Sequence, residues 1–195
     1  GLTVRMALAF RHLDLGFDFR DLLTLKTELP AARYASEQQI LAFAEQVEAR
    51  LRAVPEVRGV AVAAARPVLE DVPTEALALE GVEPPSPEAQ PWAARSVVSP
   101  TFFATLGIPI LEGRSLAAED ASGADPVVVV SQGFVRRYFP TSPPLGRRLR
   151  LGPVTAPWRT VVGVAADVMN SEPGEPPLPQ AYVPLAQQPV RSLTV

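Results

Sequence analysis

The sequence predicts an α+β fold in which one strand–helix–strand unit is followed by a series of short strands carrying two short helices. Three observations predict it. A single long amphipathic helix stands between two extended apolar stretches in the first third of the chain. The later apolar runs are short and separated by turn signals. Proline accounts for 22 of 195 residues, about twice the usual share. Each proline fixes φ and removes a donor, which divides the chain into short elements. Strands in succession, rather than strands alternating with helices, argue against a doubly wound sheet.

The elements follow in order. Residues 22–29 place Leu23, Leu25, Thr27 and Leu29 on one side of an alternating segment, the pattern of a half-buried strand, and Pro30 ends it. Ser36 then precedes Glu37, Gln38 and Gln39, a capping box with Gln39 at the third helical position. The helix runs to about Val54 with an apolar face of Ile40, Phe43, Ala44, Val47, Leu51 and Val54, and Pro55 stops it. On this reading Phe43, Val47 and Leu51 pack against Leu23 and Leu25. Residues 57–68 are small and β-branched and read as a buried strand. Residues 81–91 are a loop by composition.

Residues 92–98 read as a strand. Ser99 and Pro100 then open a short helix, with serine as its cap, that runs to Leu106 and ends at Gly107 in a left-handed cap. Residues 108–111 make a short strand. Residues 118–125 are polar and turn-rich. Val127 to Val130 give the strongest strand signal, and the lack of alternation predicts burial of both faces. Ser131 caps a helix that continues through Tyr138 and stops at Pro140. Residues 147–151 and 158–165 read as a strand pair, residues 171–179 as a proline-rich loop, and residues 181–185 and 192–195 as further strands.

Composition sets limits on function. The size, 195 residues, suits one domain or one domain with an insertion. The net charge of −3, with no basic stripe, argues against nucleic acid as a partner. One histidine and no cysteine nearly exclude an all-protein zinc site. No run approaches the ~20 apolar residues of a membrane span. Residues 1–10 are largely apolar and interrupted by Arg5, and residues 192–195 begin a strand at the last residue, so a piece cut from a longer protein is expected.

The sequence holds no phosphate loop, no dinucleotide fingerprint and no nucleophile elbow, and its only lysine, Lys26, falls in a strand. His12 lacks a nearby nucleophile and reads as an exposed polar residue beside Arg11 and Asp14. Glu119, Asp120, Ser122 and Asp125 do not match the alternating oxygen ligands of a calcium loop and read as a solvated turn. Glu70 and Asp71 read as loop charges. Residues 176–179, Pro-Pro-Leu-Pro, read as a stiff connector. Trp92, Phe102, Phe103, Phe134 and Tyr138 sit at core positions rather than on a stacking platform. Arg147, Arg148 and Arg150 read as a charged strand that blocks edge pairing. No catalytic, cofactor-binding or metal-binding residue is therefore assigned, and no cofactor.

The order of motifs is more specific than any one of them. Leu15-Gly16-Phe17-Asp18 leads to Arg33-Tyr34 and then to Leu51-Arg52-Ala53-Val54-Pro55. Val98-Ser99-Pro100-Thr101-Phe102-Phe103 runs on through Leu106-Gly107-Ile108-Pro109. Glu112-Gly113-Arg114, Arg137-Tyr138-Phe139-Pro140, Pro144-Leu145-Gly146-Arg147, Val162-Gly163-Val164 and Tyr182-Val183-Pro184-Leu185 complete the series. In this order the chain resembles the extracytoplasmic core domain of MacB-type, FtsX-like ABC transporter permeases, from about Leu15 to the end. Glu56 stands where that family usually has glycine.

The resemblance implies a porter-like strand–helix–strand unit interrupted by a β-rich subdomain. Residues 1–18 would be a membrane-proximal segment, 19–68 the first porter-like half, 69–190 the inserted subdomain, and 191–195 the start of the second half. It also implies a non-catalytic domain on the periplasmic side of the inner membrane. Such a domain relays ATP-driven motion and contacts substrate or a periplasmic partner. The partners implied are an ABC ATPase subunit or domain reached through the membrane region, a periplasmic adaptor, and a second permease copy in a dimer. An extracytoplasmic binding or sensing domain with no transport role is the alternative. Flanking membrane spans in the full reading frame distinguish the two.

Overall fold

Four consecutive valines mark the centre of the molecule. A computed structural model of the chain describes residues 22–65, 72–83, 86, 90–170 and 175–195. In chain order its elements are β1 (Lys26–Glu28), α1 (Glu37–Arg52), β2 (Thr74–Leu79), β3 (Trp92–Val98), α2 (Phe102–Leu106), β4 (Ile110–Gly113), β5 (Val127–Ser131), α3 (Gln132–Tyr138), β6 (Arg148–Leu151), β7 (Arg159–Ala165), β8 (Gln180–Pro184) and β9 (Ser192–Thr194), with a 3₁₀ turn at Leu185–Gln187. This is the α+β class expected, with few helices and one large sheet.

The large sheet has the order β4-β7-β5-β8-β3-β2-β6, and β6 pairs with β7 as well. The strands β7, β5, β8, β3, β2 and β6 therefore close into a ring. Closure depends on the length of β7. Its start pairs with β6, Thr160 opposite Arg148, while its end pairs with β4, Ala165 opposite Ile110. Two of the pairings are parallel, β3 with β8 and β5 with β7. A register shift between Val128 and Val129 opposes Val161 and Gly163 and bends the β5–β7 pair.

The core divides by which face of the ring it lies on. Leu77, Val128, Val130, Leu149, Val161 and Val183 come from five of the ring strands and meet inside it, together with Phe134 of α3. On the outside, Phe102, Phe103 and Leu106 of α2 cover Val127, Val129 and Tyr182. This accounts for the unbroken valine run: β5 is apolar on both faces because both faces are covered. The third cluster joins Ile40 and Ala44 of α1 to Leu29, Val62, Val97, Leu185 and Leu193.

Local signals act as their chemistry requires. The Ser36 side chain accepts from the Gln39 N–H at 3.3 Å and Gln39 Oε1 accepts from the Ser36 N–H at 3.1 Å, which completes the capping box. Gly107 closes α2 at φ 66. The Ser131 side chain accepts from Phe134 N–H and caps α3.

Several expectations are corrected. The first strand is only β1; Leu23 and Leu25 are 89% and 66% exposed, so α1 does not pack on them. Its buried face is Ile40 and Ala44, while Leu51 and Val54 are exposed. Alternation carried the right faces near Leu29; the ladder with β9 takes in Lys26, Thr27 and Glu28, main-chain bonds continue it to Leu25 with Val195 and Leu29 with Arg191, and the expected strand overruns at residues 22–24. In the expected strand 57–68, only the single residue Ala63 forms ladder pairs, one with Val98 and one with Thr194; residues 66–68 lie outside the described residues. Ser99 does not cap α2. Its Oγ accepts from the Val62 N–H at 3.0 Å, and the helix starts after Thr101, whose Oγ1 donates to the Val60 carbonyl at 2.8 Å. The strand expected at 108–111 lies at Ile110–Gly113. Strand β2 was not anticipated.

Candidate functional site

Of the charged groups singled out from sequence, Asp120, Arg148 and Arg150 make structural contacts, while Glu119 and Asp125 are exposed. Asp120 is 5% exposed. Its two oxygens accept from Arg114 Nη1 and Nη2, each at 2.8 Å, and Oδ2 also accepts from the Ala117 N–H at 2.9 Å. The hydrogen bond from Arg114 holds the carboxyl below the usual carboxylate range. The same bond raises the Arg114 guanidinium. The turn at 118–125 is thus tied by an internal ion pair. Asp167 is used similarly: Oδ1 accepts from the Gly133 N–H at 2.6 Å at the start of α3 and Oδ2 pairs with Arg136 Nη2 at 2.6 Å.

Arg148 and Arg150 do not protect a sheet edge, because β6 has a partner on each side. Arg148 pairs with Glu80 at 2.9 Å, and the Arg150 guanidinium lies 4.8 Å from the centre of the Trp158 ring. Trp92 and Tyr138 are half-buried and linked through the Tyr138 hydroxyl, which donates to the Trp92 carbonyl at 2.5 Å. In the proline-rich run, the Leu178 N–H donates to Asn170 Oδ1 at 2.8 Å and the Pro179 carbonyl accepts from the Ala94 N–H at 2.8 Å, which pins this connector along β3. His12, Glu70 and Asp71 lie outside the described residues.

A cavity of about 10 Å³ lies on the outer face, next to Ser96, Asn170, Gln180 and Tyr182. It is far below the roughly 300–1,000 Å³ of a ligand pocket. The polar groups beside it satisfy one another: Gln180 Nε2 donates to Ser96 Oγ at 2.6 Å, and Gln180 Oε1 accepts from Asn170 Nδ2 at 2.9 Å and from the Tyr182 hydroxyl at 3.0 Å. Burial raises the Tyr182 phenol well above its ordinary value, so the group stays a neutral donor. This network specifies how β3, β8 and the 166–170 segment fit together.

One charged group was not anticipated. Arg95, Glu75 and Arg159 sit on the inward side of the ring strands, with Arg95 Nη2 paired to Glu75 Oε1 at 2.8 Å. Arg159 is 5% exposed and donates to Gln187 Oε1 at 2.9 Å. The sequence held a signal for Arg95, an arginine in the middle of a strand otherwise made of small and apolar residues. Among the described residues, no three metal-ligating side chains converge, and no helix is long and apolar enough to cross a membrane.

Comparison with known proteins bears on this arrangement. Residues 18–195 match the family model for the MacB-like periplasmic core domain. No curated protein matches the chain. Solved structures share its fold, three of them as follows. The periplasmic region of MacB from Actinobacillus actinomycetemcomitans is 15% identical over 96% of this chain and 78% of its own, with a TM-score of 0.55. The extracellular domain of YknZ, a noncanonic ABC-type transporter from Gram-positive bacteria, is 16% identical over 89% of this chain and 82% of its own, with a TM-score of 0.53. A domain assigned to a permease protein from Porphyromonas gingivalis is 17% identical over 76% of this chain, with a TM-score of 0.51, and the chain spans 64% of its length. At these identities the likeness is one of fold.

Proposed function

This chain belongs to the MacB-like periplasmic core domain family, and on that premise we propose that it is the non-catalytic periplasmic part of an inner-membrane ABC transporter permease. In this role it relays ATP-driven motion and contacts substrate or a periplasmic partner. The observation that carries the reading is the family match over residues 18–195. The ATPase is a separate subunit or domain reached through the membrane region, and the permease works as a dimer with a periplasmic adaptor. The engagement of Asp120, Asp167 and Tyr182 in structural bonds supports a domain that does no chemistry of its own.

The proposed division follows the same reading: residues 1–18 next to the membrane, 19–68 as the first porter-like half, 69–190 as the insertion, and 191–195 opening the second half. It is supported by the pairing of β1 with β9 and by Ala63, which joins Thr194, so that the two ends of the described chain lie side by side beneath α1 while most of the residues between them build the ring.

Removal of residues 18–195, in frame, from the full-length permease tests the function. Transport should be lost while the remaining permease still inserts in the membrane and the ATPase still hydrolyses ATP. Undiminished transport would refute the relay. Calorimetric titration of the isolated chain with Mg-ATP should be flat.

A further inference from the structure

The interior of the ring is apolar except towards one end. Glu75, Arg95 and Arg159 stand two residues from Leu77, Ala93 and Val161 on their strands, and all three of those residues belong to the cluster inside the ring. A strand repeats its face every second residue, so the three charged side chains share the inward face. Glu75 lies opposite Ala93, next to Arg95; Arg159 lies opposite Leu149 at the start of β7 and is close enough to feel the charge of Arg95.

The charges at this end do not balance. Arg95 uses Nη2 for Glu75 at 2.8 Å, while its Nε and Nη1 are buried with no acceptor. Among the described residues, Arg159 donates only to neutral oxygens: the Val127 carbonyl at 3.4 Å, Gln187 Oε1 at 2.9 Å and Gln188 Oε1 at 3.5 Å. Among the described residues, two guanidiniums therefore share one carboxylate in a largely buried site, where an unpaired charge is costly. Burial, together with the charge of Arg95, pushes Arg159 down to about 10, which still leaves it charged at neutral pH. The end is not sealed, since the Arg95 and Glu75 side chains keep 17% and 25% of their exposure.

We propose that this end of the ring binds a small oxyanion or carboxylate, held by Arg95 and Arg159. The Arg95 guanidinium, planar and with free Nε and Nη1 groups, suits such oxygens, Arg159 adds its charge beside it, and the bonds are charge-assisted. The occupant is either a free inorganic anion or the carboxylate of a larger ligand. The proposal stands apart from the transport role: it concerns this chain alone and holds or fails without the permease.

Thermal unfolding of the 195-residue chain tests it, with sodium phosphate or sodium acetate titrated against sodium chloride at constant ionic strength. A ligand that binds the folded state raises the midpoint along a saturating curve. Exclusion of phosphate from the surface instead raises it without saturation. We expect saturation, unchanged in Arg148→Gln on the outer surface and absent in Arg95→Gln. Glu75→Gln removes the competing carboxylate and should lower the half-saturating concentration about tenfold. Saturation by phosphate alone identifies a tetrahedral oxyanion, and saturation by acetate as well identifies a carboxylate site. Should Arg95→Gln fail to fold, the Arg95 Nε–H resonance in the unaltered chain must shift during titration. A linear rise, a rise that survives Arg95→Gln, or a static Nε–H resonance would overturn the proposal. So would binding seen only after Glu70→Gln with Asp71→Asn, since the chain would then supply its own carboxylate.

Discussion

Asp120 turns an exposed loop into a fixed one. Its pair with Arg114 joins the two ends of the 114–120 segment, and its bond from Ala117 fastens the middle. Because the Arg114 bond lowers its pKa in the folded state, the contribution is complete above the ordinary value of about 3.9. It is lost as pH falls through the lowered folded-state value. Asp120→Asn should reduce stability at neutral pH by about 1–3 kcal/mol. It should also flatten the acid limb of the stability curve, measured by urea unfolding from pH 2 to 7. The sequence showed Asp120 as one acid among several; its partner became visible only when the chain's path was known. Gly163 is a similar case. A Cβ there would run into the backbone carbonyl of Arg114, where β4 crosses β7. Gly163→Ala should cost about 1–3 kcal/mol by overpacking against backbone that has no room to yield, checked by chemical denaturation.

At the scale of elements, α1 tests how far a periodic pattern can be trusted. Ser36, Gln39, Ile40 and Ala44 were legible because capping and the first helical turns depend on neighbours in sequence. Leu51 and Val54 continue the apolar stripe, but both are exposed. Ile40→Ala should therefore cost about 2–5 kcal/mol, whereas Leu51→Ala should stay within about 1 kcal/mol. Equal losses in equilibrium unfolding would mean that the C-terminal half of α1 is covered in solution. Strand β2 was hidden for the opposite reason. Its residues, Thr-Glu-Ala-Leu-Ala-Leu, include good helix formers, and only pairing to β3 and β6 makes them extended. Strands β3, β5 and β7 were plain because β-branched residues or short apolar runs bounded by turns have few other uses.

For the whole molecule, the α+β class was legible but closure of the sheet was not, since it rests on pairings between strands far apart in sequence. Closure also ranks the parts by stability. Strands β5 and β8 are buried along their full length and sit mid-sheet. Strand β1 pairs with β9 alone among the described strands. Amide hydrogen exchange should show residues 127–130 opening only with global unfolding and residues 26–28 opening at lower free energy. Equal protection would make the β1–β9 ribbon part of the same cooperative unit. The ring also bears on time. Ala94 must find Gln180, and Glu28 must find Ser192, before either pairing contributes anything. The entropy of closing such long loops is lost before the contacts that offset it form. No neighbouring pair of elements can complete the ring alone, so the search itself sets the pace. Stopped-flow refolding from urea should be slow, on a scale of about milliseconds to seconds. Substitutions within the β3–β8 pair should slow folding more than they speed unfolding, if that pairing forms in the transition state.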